Sequence, residues 1–344
     1  MYSFKNDYAE GAHPTILHKL VETNLVQQTG YGEDEYSIQA KDILRKKIQN
    51  PEAVIYFVSG GTQANLLIIS SLLRPHEAVI SAKTGHIYAN ETGAIEATGH
   101  RVITADTENG KLTPTDVERI LDAYSLRPHV VKPRMVYISN STEIGSIYKK
   151  SELEQLWSYC QKKELYLFLD GARLGHALTA DENDLTFADI AKYTDVFYIG
   201  GTKNGALLGE AIVFNQAHLA ADFDYMLKQR GVLLAKGRVL GVQFLQLFKD
   251  DLYFVLAKHA NEMAMKMARA IAAQGYSFLT PACTNQIFPI FPKTVMHALL
   301  QQYDFYEWKT MDNERSAARI ITSWATEEEV VDEFINSLER VAGR

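Results

Sequence analysis

The sequence predicts an α/β protein, a mainly parallel sheet covered by helices, followed by a smaller α+β part. Three observations carry this. From about residue 50 to 215, short apolar β-rich runs alternate with helical patterns, and strand–helix–strand alternation builds parallel sheets. The runs are mostly apolar throughout rather than alternating, as strands buried on both faces read. After about residue 245 the alternation stops. The division is therefore drawn at 1–245 for the large domain, with an N-terminal arm over about 1–35, and 246–344 for the small one.

In chain order the strand runs are Ala53–Val58, Ala78–Ser81, Val102–Thr104, Met135–Ser139, Leu165–Leu169, Val196–Ile199 and Ala211–Phe214. Thr113-Pro114 followed by Asp116 and Glu118 starts a helix: a cap, a proline at the first position, acids in the first turn. Ser151-Glu152-Leu153-Glu154 has capping-box spacing and opens another. Lys258–Gln274 reads as a long helix whose Met263, Met265 and Met267 are packing residues. Short β-like runs follow at Gln286–Phe291, Phe305–Trp308 and Ala317–Trp324, and Thr326 with Glu329 predicts a capping box on a last helix.

Composition removes several functions. Among 344 residues, 35 Lys+Arg stand against 42 Asp+Glu, a net charge of −7 without a basic cluster, so nucleic acid is not the expected partner. Hydrophobic residues make up 47%, which excludes disorder. No apolar run is longer than Ala53–Val58, far below the roughly 20 residues that cross a bilayer. The two cysteines, Cys160 and Cys283, have no metal-type spacing and make no disulfide framework. The first residues show no secretory signal, so cytoplasmic residence is expected.

Ligands of open α/β sheets collect at the carboxyl ends of strands, so the residues after each run are informative. After the first come Ser59-Gly60-Gly61-Thr62, where glycines admit an anion to a helix N-terminus and Thr62 adds a hydroxyl. His86 follows the second run and can stack on an aromatic ring. Asp170-Gly171-Ala172-Arg173 follows the fifth: a carboxylate there needs a cation, and a protonated pyridine nitrogen is one. Arg173 can fork onto a carboxylate or phenolate. Gly200-Gly201-Thr202-Lys203 follows the sixth, where a partly desolvated lysine becomes a Schiff-base nucleophile and Thr202 can donate to a phosphate. Singly these also read as a plain turn, a helix cap, an ion pair or a solvated lysine. Their order, each after a strand, is what makes them a set.

Those residues, with Arg319-Ile320-Ile321-Thr322 and Tyr31-Gly32-Glu33-Asp34, resemble fold-type I pyridoxal-phosphate enzymes of the threonine aldolase and β-eliminating lyase group. Gly-Gly-Thr-Lys-Asn-Gly is most similar to the phenylserine-aldolase side of that group. The resemblance implies that Lys203 carries the coenzyme as a Schiff base, Asp170 pairs with the ring nitrogen and His86 stacks on the ring. It implies that Gly60, Gly61, Thr62 and Thr202 hold the phosphate, with Arg173 near the coenzyme. Arg173 and Arg319 would grip the substrate carboxylate, joined by Asn6, which stands where the group usually has serine. His129, His86 or a water would take the β-hydroxyl proton. The implied reaction splits a β-hydroxy-α-amino acid into glycine and an aldehyde. The rivals are a β-eliminating lyase or aminotransferase with the same coenzyme, and a non-catalytic binding protein. A homodimer or homotetramer with shared sites is implied, with Tyr31 reaching the neighbour and Arg230 or Lys236 as candidate phosphate contacts. No metal is expected.

Overall fold

A computed structural model describes residues 1–343. All seven expected runs form strands of one sheet. They are β2 (Val54–Val58), β3 (Glu77–Ala82), β4 (Arg101–Ala105), β5 (Lys132–Ser139), β6 (Tyr166–Asp170), β7 (Val196–Gly200) and β8 (Glu210–Phe214), after a short β1 (Tyr2–Ser3) that lies elsewhere. The order is β2-β8-β7-β6-β5-β3-β4. Every pair is parallel except those of β8, which runs antiparallel to both β2 and β7.

Alternate residues feed two cores. Ile80, Val136, Ile138, Leu167, Leu169, Phe197 and Ile199 join one. Val79, Met135, Tyr137, Phe168, Val196 and Tyr198 join the other. Helices cover both faces, which explains why the runs lack polar alternation. Cys160 is buried in the first core, and burial drives its thiol well above the usual thiol range.

A separate antiparallel sheet comprises β9 (Gln286–Ile287), β10 (Ile290–Pro292), β12 (Tyr306–Thr310) and β13 (Arg315–Ile321), while β11 (Tyr303–Asp304) pairs with β1. The long helix Leu252–Ala273 spans both bodies: Tyr253 and Leu256 sit in the first large-domain core, Met263, Met267 and Ile271 in the small-domain core. The N-terminal arm also reaches across. Phe4 is buried in the small-domain core, its N–H donates to Asp304 O (2.7 Å) and its carbonyl accepts from Ile321 N (2.9 Å).

Local signals met different fates. Thr113 caps the helix Pro114–Ala123, with both halves of the box to Asp116 formed. The second helix begins two residues early, at Lys150, and Glu152 accepts from the Lys149 N–H (2.8 Å), displacing the Ser151–Glu154 pairing. The last helix starts at Glu328 without a side-chain cap. Thr326 fails as its cap because its hydroxyl serves Ser323 N–H (2.8 Å) and Tyr2 (3.3 Å) instead. No helix among the described residues is long and apolar enough to cross a membrane.

Candidate active site

The carboxyl ends of β2, β5, β6 and β7 open into a cavity of about 310 Å³. Its wall includes Gly60, Gly61, Thr62, His86, Asp170, Arg173, Thr202 and Lys203. Eight residues singled out in the sequence are thus brought together from four segments.

At one wall the helix Gly61–Leu72 begins with Gly60 as N-cap and no side-chain cap. Its first-turn N–H groups are therefore free for an anion. A Cβ on Gly61 would lie 3.0 Å from the Tyr198 hydroxyl, so the bare backbone keeps this cup open. Thr202 stands nearby, its Oγ1 accepting from Gly209 N–H (2.9 Å).

Asp170 ends β6 and is buried. Its Oδ2 accepts from the Tyr137 hydroxyl (2.5 Å) and from Asn65 Nδ2 (3.3 Å), and its Oδ1 from Ala172 N–H (3.0 Å). Burial and the Asp170 charge push the Tyr137 phenol far up, so Tyr137 remains a donor. Asn65 also donates to Glu91 Oε1 (2.7 Å), which lies 2.8 Å from His86 Nδ1. His86, Glu91, Asn65 and Asp170 thus form one chain of polar contacts with a buried interior. The His86 backbone N–H donates to Glu143 (2.9 Å), as does the Ser139 hydroxyl (2.7 Å). Tyr137→Phe removes one donor from a buried carboxylate and is expected to cost about 1–3 kcal/mol, read as a shift in urea unfolding.

Lys203 faces the same cavity, and burial, reinforced by the Arg173 charge, lowers its ammonium below the usual range against the pull of Asp7, Asp170 and Glu210. Glu210 is the counterpart: burial raises its carboxyl to about 8 although Lys203 and the Gly201 N–H draw it down.

Arg173 is not a free fork. Its Nε and Nη2 donate to Asp7 Oδ2 (2.7 Å) and Oδ1 (3.0 Å), and Asn285 Nδ2 also donates to Asp7 (2.9 Å). Arg319, on β13, is not among the residues of the cavity wall. Its Nη2 donates to Gln286 (2.7 Å), its guanidinium lies 5.0 Å from the Trp308 ring centroid, and its buried Nε has no partner among the described residues. Burial and the neighbouring Arg173 charge lower it to about 10.

Besides Arg319, three more expected residues do not line this cavity. His129 is exposed in the loop after the helix Pro114–Ala123. Asn6 spends its Oδ1 on Tyr8 N–H (3.0 Å), a local turn. Tyr31, 51% exposed, is held at positive φ, donates its N–H to Ala235 O (3.2 Å) and carries the Lys228 ammonium 5.2 Å over its ring. Conversely, Tyr8, Ser59, Ser139, Ser141, Glu143, Ala172, Tyr198 and Glu210 also line the cavity. Of these, Ser59 and Ala172 were legible in principle as neighbours of the strand-end motifs. Glu210 required knowing that β8 runs backward. No cluster of metal-ligating side chains occurs among the described residues.

Residues 13–293 match the family model for β-eliminating lyases. A low specificity L-threonine aldolase of Pseudomonas aeruginosa is 33% identical over 99% of this chain and 98% of its own length. A solved Leishmania major threonine aldolase superposes with a TM-score of 0.98 at 45% identity, covering 99% of this chain and 100% of that one. An aspartate aminotransferase from Thermus thermophilus shares the fold at a TM-score of 0.70 and 14% identity, covering 98% of this chain and 90% of that one.

Proposed function

The chain belongs to the β-eliminating lyase family, and we propose that it is a pyridoxal-phosphate-dependent aldolase that splits a β-hydroxy-α-amino acid into glycine and an aldehyde. Threonine, allothreonine and phenylserine define the substrate class. The observation that carries this reading is the meeting of Lys203, Asp170, His86 and an uncapped helix N-terminus in one cavity.

These residues fit the coenzyme chemically. The Gly60–Thr62 cup and Thr202 would hold the phosphate, Asp170 the ring-nitrogen proton, His86 the ring face and Lys203 the aldehyde carbon. When bound, the coenzyme supplies an electron sink for the carbon whose bond breaks. The protein supplies the rest. Lys203, with its ammonium destabilised by burial, presents a larger fraction of free amine, the nucleophilic form. Asp170 is fixed by three donors, so the proton it shares stays at one position. Glu91 anchors the His86 ring through Nδ1 (2.8 Å).

Arg319, with its unpartnered Nε, is the principal seat for the substrate carboxylate, and Arg173 contributes its remaining Nη1. Holding that carboxylate orients the Cα–Cβ bond for cleavage. Within one chain, the β-hydroxyl proton falls to His86 Nε2 or to water, because His129 is on the far loop. The same reading takes the cytoplasm as the compartment and a homodimer or homotetramer as the working unit. Tyr31 and the Lys228–Lys236 segment, which touch one another on the surface, would then serve a neighbouring site.

Aldehyde release should be measured with threonine, allothreonine and phenylserine in both enantiomeric series. Stoichiometric aldehyde and glycine from at least one of them is the expected result. Ammonia and a keto acid without aldehyde would overturn the aldolase assignment in favour of elimination or amino transfer.

A further inference from the structure

The connection from β7 to β8 turns the chain back at the carboxyl edge of the sheet. Glu210, the first residue of β8, therefore stands opposite Val58 at the end of β2 and Gly200 at the end of β7. Those two strands lead into Ser59–Thr62 and Gly201–Lys203, the two segments that build the phosphate cup. Glu210 is 5% exposed and lines the same cavity. Its Oε2 accepts from Gly201 N–H (2.9 Å), and the Thr202 side chain also hydrogen-bonds this carboxyl. No step of the proposed reaction uses it.

A second anion beside a phosphate site is unfavourable unless it is neutralised. The charged or titratable groups around Glu210 are Lys203, Asp170, Tyr198 and Tyr253. Only Lys203 is cationic, and a lysine bonded to the coenzyme has exchanged its ammonium for a different role. A neutral carboxyl solves the problem, because one oxygen accepts from the Gly201 amide while the other carries a proton to donate.

We propose that Glu210 is a phosphate-binding residue acting as the neutral acid, donating its hydroxyl to the phosphate at the N-terminus of the Gly61–Leu72 helix, so that binding of the coenzyme takes up one proton. This rests on the reading that the cavity holds pyridoxal phosphate. The raised carboxyl, about 8, sets the pH range. Bound phosphate favours the protonated form, so affinity is full below that pH and falls about tenfold per unit above it.

The test titrates coenzyme-free enzyme with pyridoxamine 5′-phosphate, which has no aldehyde to react with Lys203, and with phosphate-free pyridoxamine, over about pH 7 to 9.5. In the native protein the phosphorylated probe should lose about tenfold affinity per pH unit above about 8, and pyridoxamine should not. E210Q keeps a donor without a titrating proton, so its slope should be shallower and its affinity higher than native at the alkaline end. E210Q also removes the pull of Glu210 on Lys203, so phosphate-free pyridoxamine is titrated on both proteins and its slope, which reads Lys203 without the phosphate, is subtracted. Calorimetry of the native protein in two buffers of different ionisation heat gives a count free of any variant, expected to approach one proton taken up at the alkaline end. Equal slopes in native and E210Q protein, or no proton uptake, overturn the Glu210 assignment while leaving the coenzyme reading intact. Failure of the native protein to bind the phosphorylated probe at any pH overturns both.

Discussion

Lys203→Ala should lower aldehyde release by at least ~10³-fold, about 4 kcal/mol of barrier at 1.36 kcal/mol per decade. The size follows from chemistry rather than structure. The amine is the one primary amine facing a cavity that otherwise offers acids, hydroxyls, a guanidinium and an imidazole, and none of these forms a Schiff base in its place. Lys203 makes no ion pair within 4.0 Å among the described residues, so the substitution removes no structural contact of that kind. Thermal unfolding should therefore stay near the native value while turnover collapses. The visible absorbance of bound coenzyme and its trapping by borohydride should both vanish. A variant that still yields borohydride-fixed coenzyme would refute the assignment of Lys203.

Asp7→Ala should act in the opposite way, striking stability first. Asp7 is fully buried and grips Arg173 through two hydrogen bonds, with Asn285 as a third contact. Removing one partner of a buried ion pair leaves the other charge uncompensated and costs about 3–5 kcal/mol. The expected lowering of the melting temperature is roughly 5 °C for a chain of this size. Burial alone would raise the Asp7 carboxyl, but Arg173, Lys203 and His176 outweigh it and hold it well below the usual carboxylate range. With the folded value depressed, its stabilising contribution is complete above the ordinary carboxylate range, about pH 4. It is lost only as pH falls further, towards the folded value. The stability gap between native protein and the Asp7→Asn variant should thus be constant near neutrality and shrink in strong acid. Urea unfolding at several pH values measures it, and a gap that closes already at pH ~5 would contradict the assignment. Kinetically, if Arg173 seats the substrate carboxylate as proposed, freeing it from Asp7 should raise KM for the amino acid more than it alters kcat.

The residues legible in the sequence share one property: each directly follows an apolar run. Gly61, Thr62, His86, Asp170, Thr202 and Lys203 needed only the strand-end rule and short-range order along the chain. Asp7, Asn65 and Tyr137 escaped because their partners lie far off in sequence. Asp7 meets Arg173 across 166 positions, and Asn65 meets Asp170 across 105. Tyr137 sits inside a strand whose pattern speaks only of burial. The reversal of β8 was available in principle, since the stretch from Gly201 to Gly209 is shorter than the dozen or so residues a parallel crossover needs. Drawing it would have put Glu210 at the catalytic edge. Thr113 was read correctly because its cap is local. Thr326 was not, because Ser323 and Tyr2 compete for its hydroxyl. The position of Tyr31 follows from a positive φ and an amide bond to Ala235, neither visible in composition.

The arm ties two bodies with very little slack. Phe4 is hydrogen-bonded to Asp304 and Ile321 on the smaller body, and Asp7 clasps a guanidinium on the larger; only Lys5 and Asn6 intervene. Lys5 is itself moored to Asp304 at 2.9 Å. The arm is thus a tie-rod that couples the seating of the smaller body to the orientation of the Arg173 guanidinium on the larger.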